Sequence, residues 1–448
     1  MQGWKWRRPT LRTHARPRRW PFVVRWGPTC ALVLLCAGSL ELQASPGDYG
    51  EDAGPAMRAL ITGHVGRFLA EQPLMGSFAI LARAPFALVA HLAGGSDVAV
   101  YDAGVLACVL ALSAFTLLLV RRSATSPNHL LLVVVLAMLT PATRAAVTAG
   151  HPEEILGAVL CVAAVLLARG RALWAGVLLG LAVSTKQWAF LAVIPVIAAA
   201  PRGRRLFAGV AAAAVGALLT LPLVAGNPAA FAHTSTEAAT SPTTVGRASV
   251  WFLLAVPRRL PLHLGPGFPA SVTSYHLAGW LAQLTHPLII VLLPLLAVVL
   301  WRRGCDPLAI LALLLLERCV LDPVDNEYYH APFLLALLAY EVISRRRAIP
   351  VLTLVSWCGL WVTFDMLDVH GAAPSLTNAV YLLWTTPVAI ALLVQATPRP
   401  LGRRGWLRTT DRRGPTLSAS GSLSLSSAVD EQPVERPEQT ARAARHTR

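Results

Sequence analysis

Charge is what this chain has least of. Only 14% of its 448 residues are Asp, Glu, Lys or Arg, against about 25% in an ordinary soluble domain, which excludes a water-soluble fold. Hydrophobic residues make up 55% and mean hydropathy is +0.56, the composition of an integral membrane protein. Cysteine is sparse too. Cys30, Cys36, Cys108, Cys161, Cys305, Cys319 and Cys358 lie inside or at the ends of apolar runs, in neither a disulfide framework nor a metal-ligand spacing. No H-E-x-x-H segment occurs, so no zinc motif accompanies the histidines and no metal site is expected. Acids are missing from the first twenty positions. The net charge of +16 does not point to nucleic acid, because the basic residues sit in short clusters between apolar runs, as the positive-inside rule requires.

The apolar runs cover 22–42, 98–120, 130–149, 155–167, 172–185, 188–200, 206–225, 278–301, 308–321, 331–343, 349–364 and 380–394. They predict an all-α fold, a polytopic transmembrane helical bundle of about twelve spans, with external amphipathic helices in the first loop. Arginines at 121–122, 169–171, 202–205, 302–303, 345–347 and 403–404 all fall on one side of such a bundle. The acidic groups Asp48/Glu51/Asp52, Glu153/Glu154, Asp322/Asp325/Glu327 and Asp365/Asp368 all fall on the other. One topology satisfies every loop, with both termini cytoplasmic in a plasma-membrane protein and the acidic face outside.

Three regions follow: a basic cytoplasmic N-terminus (1–20), a membrane domain (21–396) and a disordered cytoplasmic tail (397–448) rich in Arg, Ser, Pro, Glu and Thr. The first run reads as a retained span rather than a signal peptide cleaved after Leu42-Gln43-Ala44, because a further apolar bundle follows. The stretch 77–92 holds Arg83 and reads as a partly buried external helix; a full span there would put Arg121 and Arg122 outside. The long segment 226–275 has no clear pattern and reads as a lid or binding loop.

Chemistry-bearing residues collect on the acidic face. Asp48, Glu51 and Asp52 place three carboxylates within five positions of the first external loop. Around Ser184-Thr185-Lys186-Gln187, the chain must leave and return between two basic flanks. Each leg is about fourteen residues, roughly 21 Å, against a hydrocarbon core of about 30 Å. The hairpin tip therefore stops short of the outer surface and buries Lys186 where it can meet an anion; the alternative is that it snorkels or pairs with an external carboxylate. His151, Glu153 and Glu154 stand on a short external turn, either lining the same cavity against sugar hydroxyls or simply solvated. Arg318 interrupts an apolar run beside Glu317, as a second phosphate ligand or as a partner of Glu317 or Asp322. Tyr328, Tyr329 and His330 are candidates to stack on a sugar, or members of an interfacial aromatic belt.

This pattern resembles the C superfamily of integral-membrane glycosyltransferases, and within it is most similar to the polyprenol-phosphate-mannose-dependent mannosyltransferases. The marks are the acidic loop Asp48 to Asp52, the segment Gln72-Pro73-Leu74-Met75-Gly76, Thr185-Lys186 at a hairpin tip, and Tyr328-Tyr329-His330-Ala331-Pro332-Phe333 opening a late span. The resemblance implies a catalytic base at Asp48, or at Asp52 in another register, and a donor phosphate held by Lys186 and Arg318. It further implies a polyprenyl-phosphate-linked sugar, mannose or another hexose or pentose, transferred with inversion to a glycan or glycolipid acceptor. Two adjacent Asp-Glu residues, as some protein mannosyltransferases have, are replaced here by Asp48-Tyr49-Gly50-Glu51-Asp52. No cofactor is required, although a divalent cation between Asp48 and the phosphate is compatible with the scheme. A transporter or lipid flippase is the alternative for a twelve-span chain, but those folds commonly repeat their discontinuous helices in two halves, and the short hairpin around Lys186 has no counterpart in the second half.

Overall fold

The computed structural model describes residues 22–40, 48–71, 76–123, 127–239, 243–261 and 271–396. The basic N-terminus, the segment Leu42-Gln43-Ala44, the stretch 72–75 and the tail 397–448 lie outside them. The described chain is almost wholly helical. Among the described residues, six helices are long and apolar enough to cross a membrane: Asp97–Ser123, Asn128–Thr148, Arg202–Gly226, Gly279–Arg302, Val351–Asp368 and Pro374–Ala396.

The remaining predicted runs are also helical but shorter, among them Glu153–Ala168, Ala172–Val183, Pro307–Leu321 and Ala331–Ala339. These short helices form the centre. Every residue from Leu308 to Leu316 and from Ala331 to Ala339 is buried, as expected of helices that are apolar all round. Their length is limited by polar turns that must meet inside the protein, around His151, Lys186 and Tyr328.

The first loop carries short helices, as expected: Gly63, with φ of 79°, ends Gly54–Ile61 and lets Val65–Glu71 start afresh. The first of these buries Ala56, Met57, Ala59 and Ile61, so it packs as part of the core.

The hairpin at Lys186 is covered by protein, the condition under which non-helical backbone survives at depth. Gly76 N–H donates to Thr185 O at 3.0 Å and Phe78 N–H to Ser184 O at 2.9 Å, so the start of the Ser77–Leu92 helix clamps the tip. The approach leaves no room for a side chain: a Cβ on Gly76 would stand 2.0 Å from Ser184 O. Gly76→Ala is expected to destabilise the protein by about 1–3 kcal/mol through overpacking, read as a lowered melting temperature in detergent; an unchanged value means that the clamp is dispensable. Beneath the tip, Gly176 and Gly180 let the Ala172–Val183 helix touch Arg205–Gly226, where a Cβ would meet Ala208 O at 2.3 Å and Ala212 O at 2.7 Å. Small residues four apart are the usual device for close helix contact in membranes.

The segment 226–275, predicted to lack structure, carries the Pro228–Ala239 helix and a three-stranded antiparallel sheet of β1 (Thr244–Val245), β2 (Val256–Pro261) and β3 (Ser271–His276), in the order β1-β3-β2. It is fastened rather than loose. Gly246 N–H donates to Pro323 O at 2.7 Å, Trp251 Nε1 to Leu321 O at 2.6 Å, and Asn378 Nδ2 to the carbonyls of Arg247 and Ser249, each at 2.8 Å.

Candidate active site

Segments far apart in sequence meet at one cavity of about 390 Å³, lined by Asp48, Asp52, His151, Lys186 and Arg318, together with Tyr328 and Tyr329. Each is delivered by the start or end of a short element. Asp48 precedes Tyr49–Asp52. His151 follows Gly150, whose φ of 94° closes the preceding helix; His151 N–H bonds Ala146 O at 2.8 Å, and the chain turns at once into the helix that begins with Glu153. Lys186 ends the clamped tip, and Arg318 lies in the last turn of Pro307–Leu321.

A line of hydrogen bonds joins three of these segments. His151 Nε2 meets Asp48 Oδ2 at 3.1 Å, His151 Nδ1 meets Glu153 Oε1 at 3.0 Å, and Lys186 Nζ donates to the same Glu153 oxygen at 3.0 Å. Lys186 also stands 3.6 Å from Glu154 Oε1, and Arg83 Nη1 3.7 Å from Glu153 Oε2. Glu153 and Glu154 are fully buried, whereas the Asp48 side chain is 67% exposed. The carboxylate at the cavity mouth is therefore oriented by an imidazole whose far nitrogen is anchored to a buried, ion-paired carboxylate.

Burial by itself lowers the proton affinity of His151, but the hydrogen bond and charge of Glu153, with Asp48 behind them, raise it above the ordinary histidine range. A group whose folded-state pKa is raised contributes stability that is present below its unfolded value and lost as pH climbs through the folded one. Wild type is accordingly expected to lose thermal stability relative to His151→Gln as pH rises from about 6.5 through that raised value. A wild-type–variant difference that stays flat with pH would show that His151 does not titrate in this way. Asp52, half-buried at the same wall, is pushed above the usual carboxylate range by burial, against the pull of His151 and Lys186.

Aromatic rings line the cavity beside His151. His151 and Tyr328 stack at 4.4 Å between centroids with 22° between planes, and Tyr329 meets Tyr328 edge-on. The Arg318 guanidinium lies 4.4 Å over the Tyr329 ring and 5.6 Å from that of Trp188. Among the described residues no carboxylate comes within ion-pair distance of it, and its hydrogen bond is to Tyr329 O at 3.4 Å. It does not pair with Glu317 or Asp322.

Of the predicted site residues, Glu153 and Glu154 do not line the cavity, and neither does His330. Its ring is wholly buried and turned towards Asp325, Tyr381, Phe364 and Trp384, because the turn Glu327–His330 leads straight into the buried Ala331–Ala339 helix. Tyr328 and Tyr329 face the cavity and the next residue faces the core.

Sequence reasoning missed Arg83 as a site residue. It is fully buried, its guanidinium 5.0 Å from the Tyr49 ring and 5.4 Å from that of Tyr101, with Glu153 as its carboxylate. An arginine inside an apolar run is itself the signal that could have found it. Also unforeseen at the cavity are Trp188 and His286, the latter on the Gly279–Arg302 helix.

Arg83 and Lys186 stand within ion-pair distance of Glu153 or Glu154, whereas Arg318 has no carboxylate that close and feels Glu154 and Asp322 only at longer range. A cavity lined by an exposed carboxylate and by a guanidinium without a close acidic partner is suited to bringing together a hydroxyl to be deprotonated and a phosphate to be held.

The model of glycosyltransferase family 87 matches residues 76–323, more than half of the chain. The matched stretch holds Arg83, His151, Glu153, Glu154, Lys186 and Arg318; Asp48, Asp52, Tyr328 and Tyr329 lie beyond it. No curated protein and no solved structure matches the chain.

Proposed function

The chain belongs to glycosyltransferase family 87, and from that premise we propose that it transfers mannose, or a related hexose or pentose, from a polyprenyl-phosphate donor to a glycan or glycolipid hydroxyl at the extracytoplasmic face. Membership decides between the two classes open at the sequence level, in favour of a membrane transferase over a transporter or flippase. The observation that carries the finer reading is the meeting of Asp48, His151, Lys186 and Arg318 on one cavity.

In this reading the acceptor hydroxyl donates to Asp48, which takes its proton as the oxygen attacks the anomeric carbon. Direct displacement from the face opposite the phosphate inverts that carbon. His151, bonded to Asp48 and to Glu153, fixes the direction in which the carboxylate points. Arg318 receives the charge that grows on the departing phosphate, a role for which a buried guanidinium with no close carboxylate is preorganised. Lys186, assigned the phosphate on sequence grounds, is already engaged by Glu153 and Glu154; it supplies field rather than a free hand. Tyr328 and Tyr329 offer ring faces to the sugar.

The test is transfer by the purified full chain from radiolabelled polyprenyl-phosphate mannose to membrane glycolipid, with the product's anomeric configuration read by NMR. Transfer from a nucleotide sugar and none from any lipid-linked sugar would overturn the donor assignment. Arg318→Lys keeps the charge but loses the planar fork, and a fall of about tenfold in kcat/KM is expected; an undiminished rate would move the phosphate contact elsewhere.

A further inference from the structure

Behind the aromatic wall, and apart from the cavity, lies a second polar cluster. Cys319, at the end of Pro307–Leu321, Asp325, in the loop that follows, and His330 are all buried, and a sulfur, a carboxylate oxygen and a ring nitrogen from them lie within 4.8 Å of one another. Tyr381, on the Pro374–Ala396 helix, completes the group. Its hydroxyl donates to Asp325 Oδ2 at 2.9 Å and stands 3.2 Å from His330 Nε2, which is itself 3.3 Å from the same carboxylate oxygen.

We propose that Cys319, Asp325 and His330, with the Tyr381 hydroxyl as fourth donor, bind a divalent cation of the zinc class. Thiolate, imidazole and carboxylate are the donors that zinc takes in closed four-coordinate sites. Oxygen and nitrogen ligands about 2.0–2.1 Å from a tetrahedral zinc stand roughly 3.3–3.4 Å apart, close to the spacing of the three O and N atoms here. His330 presents Nε2 to the cluster, and its Nδ1 is buried without a hydrogen-bond partner. Asp325 Oδ1 is buried without a hydrogen-bond partner. Charge balance agrees: one thiolate and one carboxylate neutralise a dication, whereas either anion alone is costly at such a place. The ligand spacing, C-x5-D-x4-H plus a distant tyrosine, belongs to no short zinc motif and is legible only in three dimensions.

The cation would pin the segment bearing Arg318, Tyr328 and Tyr329 to the Pro374–Ala396 helix, bracing one wall of the cavity. Its binding does not depend on which sugar or donor the cavity takes. The test uses the full chain in detergent with its purification tag removed, loaded with zinc, desalted and assayed by elemental analysis, then with cobalt(II) in place of zinc. About one zinc per chain is expected, and cobalt should give tetrahedral visible bands together with a near-ultraviolet thiolate-to-cobalt band. Cys319→Ser should abolish the thiolate band while Cys358→Ser leaves it intact, and chelation of the wild type should lower its melting temperature. No retained zinc and no cobalt bands in the folded wild-type protein overturns the proposal, as does a thiolate band that survives in Cys319→Ser.

Discussion

Asp48→Asn is expected to lower kcat by about 10²–10⁴-fold, the usual worth of a positioned general base, with little change in KM for the lipid-linked donor. The amide has nearly the volume of the carboxylate and keeps an oxygen for His151 Nε2, now 3.1 Å away, so the protein should fold and bind as before. What it cannot do is accept the acceptor's proton. Asp52→Asn is the matched control. Asp52 shares the cavity wall but makes no hydrogen bond to His151 among the described residues, and its loss should cost far less. If Asp52→Asn proves the severe variant and Asp48→Asn the mild one, the base is Asp52 and the imidazole serves only to hold the loop. Comparable activity in both variants and wild type would remove the acidic loop from the chemistry.

Removal of Glu153 should have the largest effect on stability. Its carboxylate is fully buried and is shared by Lys186, His151 and Arg83. Deleting one partner of a buried ionic group leaves the others uncompensated, which typically costs about 3–5 kcal/mol. Glu153→Ala is therefore expected to fall sharply in folded yield and melting temperature. The same logic predicts rescue. Lys186→Met combined with Glu153→Gln removes a cation along with its counter-charge, and should be more stable than Glu153→Gln alone. A double variant no better than the single would show that Lys186 leans mainly on Glu154.

The membrane class, the helical character of each apolar run and the residue types of the site were all readable from composition and spacing. Asp48, His151, Lys186 and Arg318 stand out because each breaks an apolar or turn context in which its charge needs a reason. Arg83 was visible by the same rule but was set aside, because a one-dimensional reading weighs a span by the sidedness of its arginines, whereas the fold pairs this one with Glu153. Tyr328 and His330 differ by two positions and point to opposite surroundings, a distinction that depends on a tight turn and not on residue type. The small sheet was illegible for another reason. Its strands are short, contain Pro257 and Pro261, and take their register from one another rather than from an alternating apolar pattern.

The order in which these residues leave the ribosome gives the clamp between Gly76 and the Lys186 hairpin a meaning for biogenesis. Asp48 and Arg83 are made long before His151, Glu153 and Arg318, and a nascent chain stopped short of Glu153 holds an arginine inside an apolar helix with no buried anion to meet it. That helix packs chiefly against Asp97–Ser123, which follows it directly in the chain, and gains its clamp only once the carbonyls of Thr185 and Ser184 accept from Gly76 and Phe78. The charge set of the site is thus complete only once Glu153, Lys186 and Arg318 have all been made, and a chain ending before Glu153 lacks the carboxylate that Arg83 meets in the folded protein.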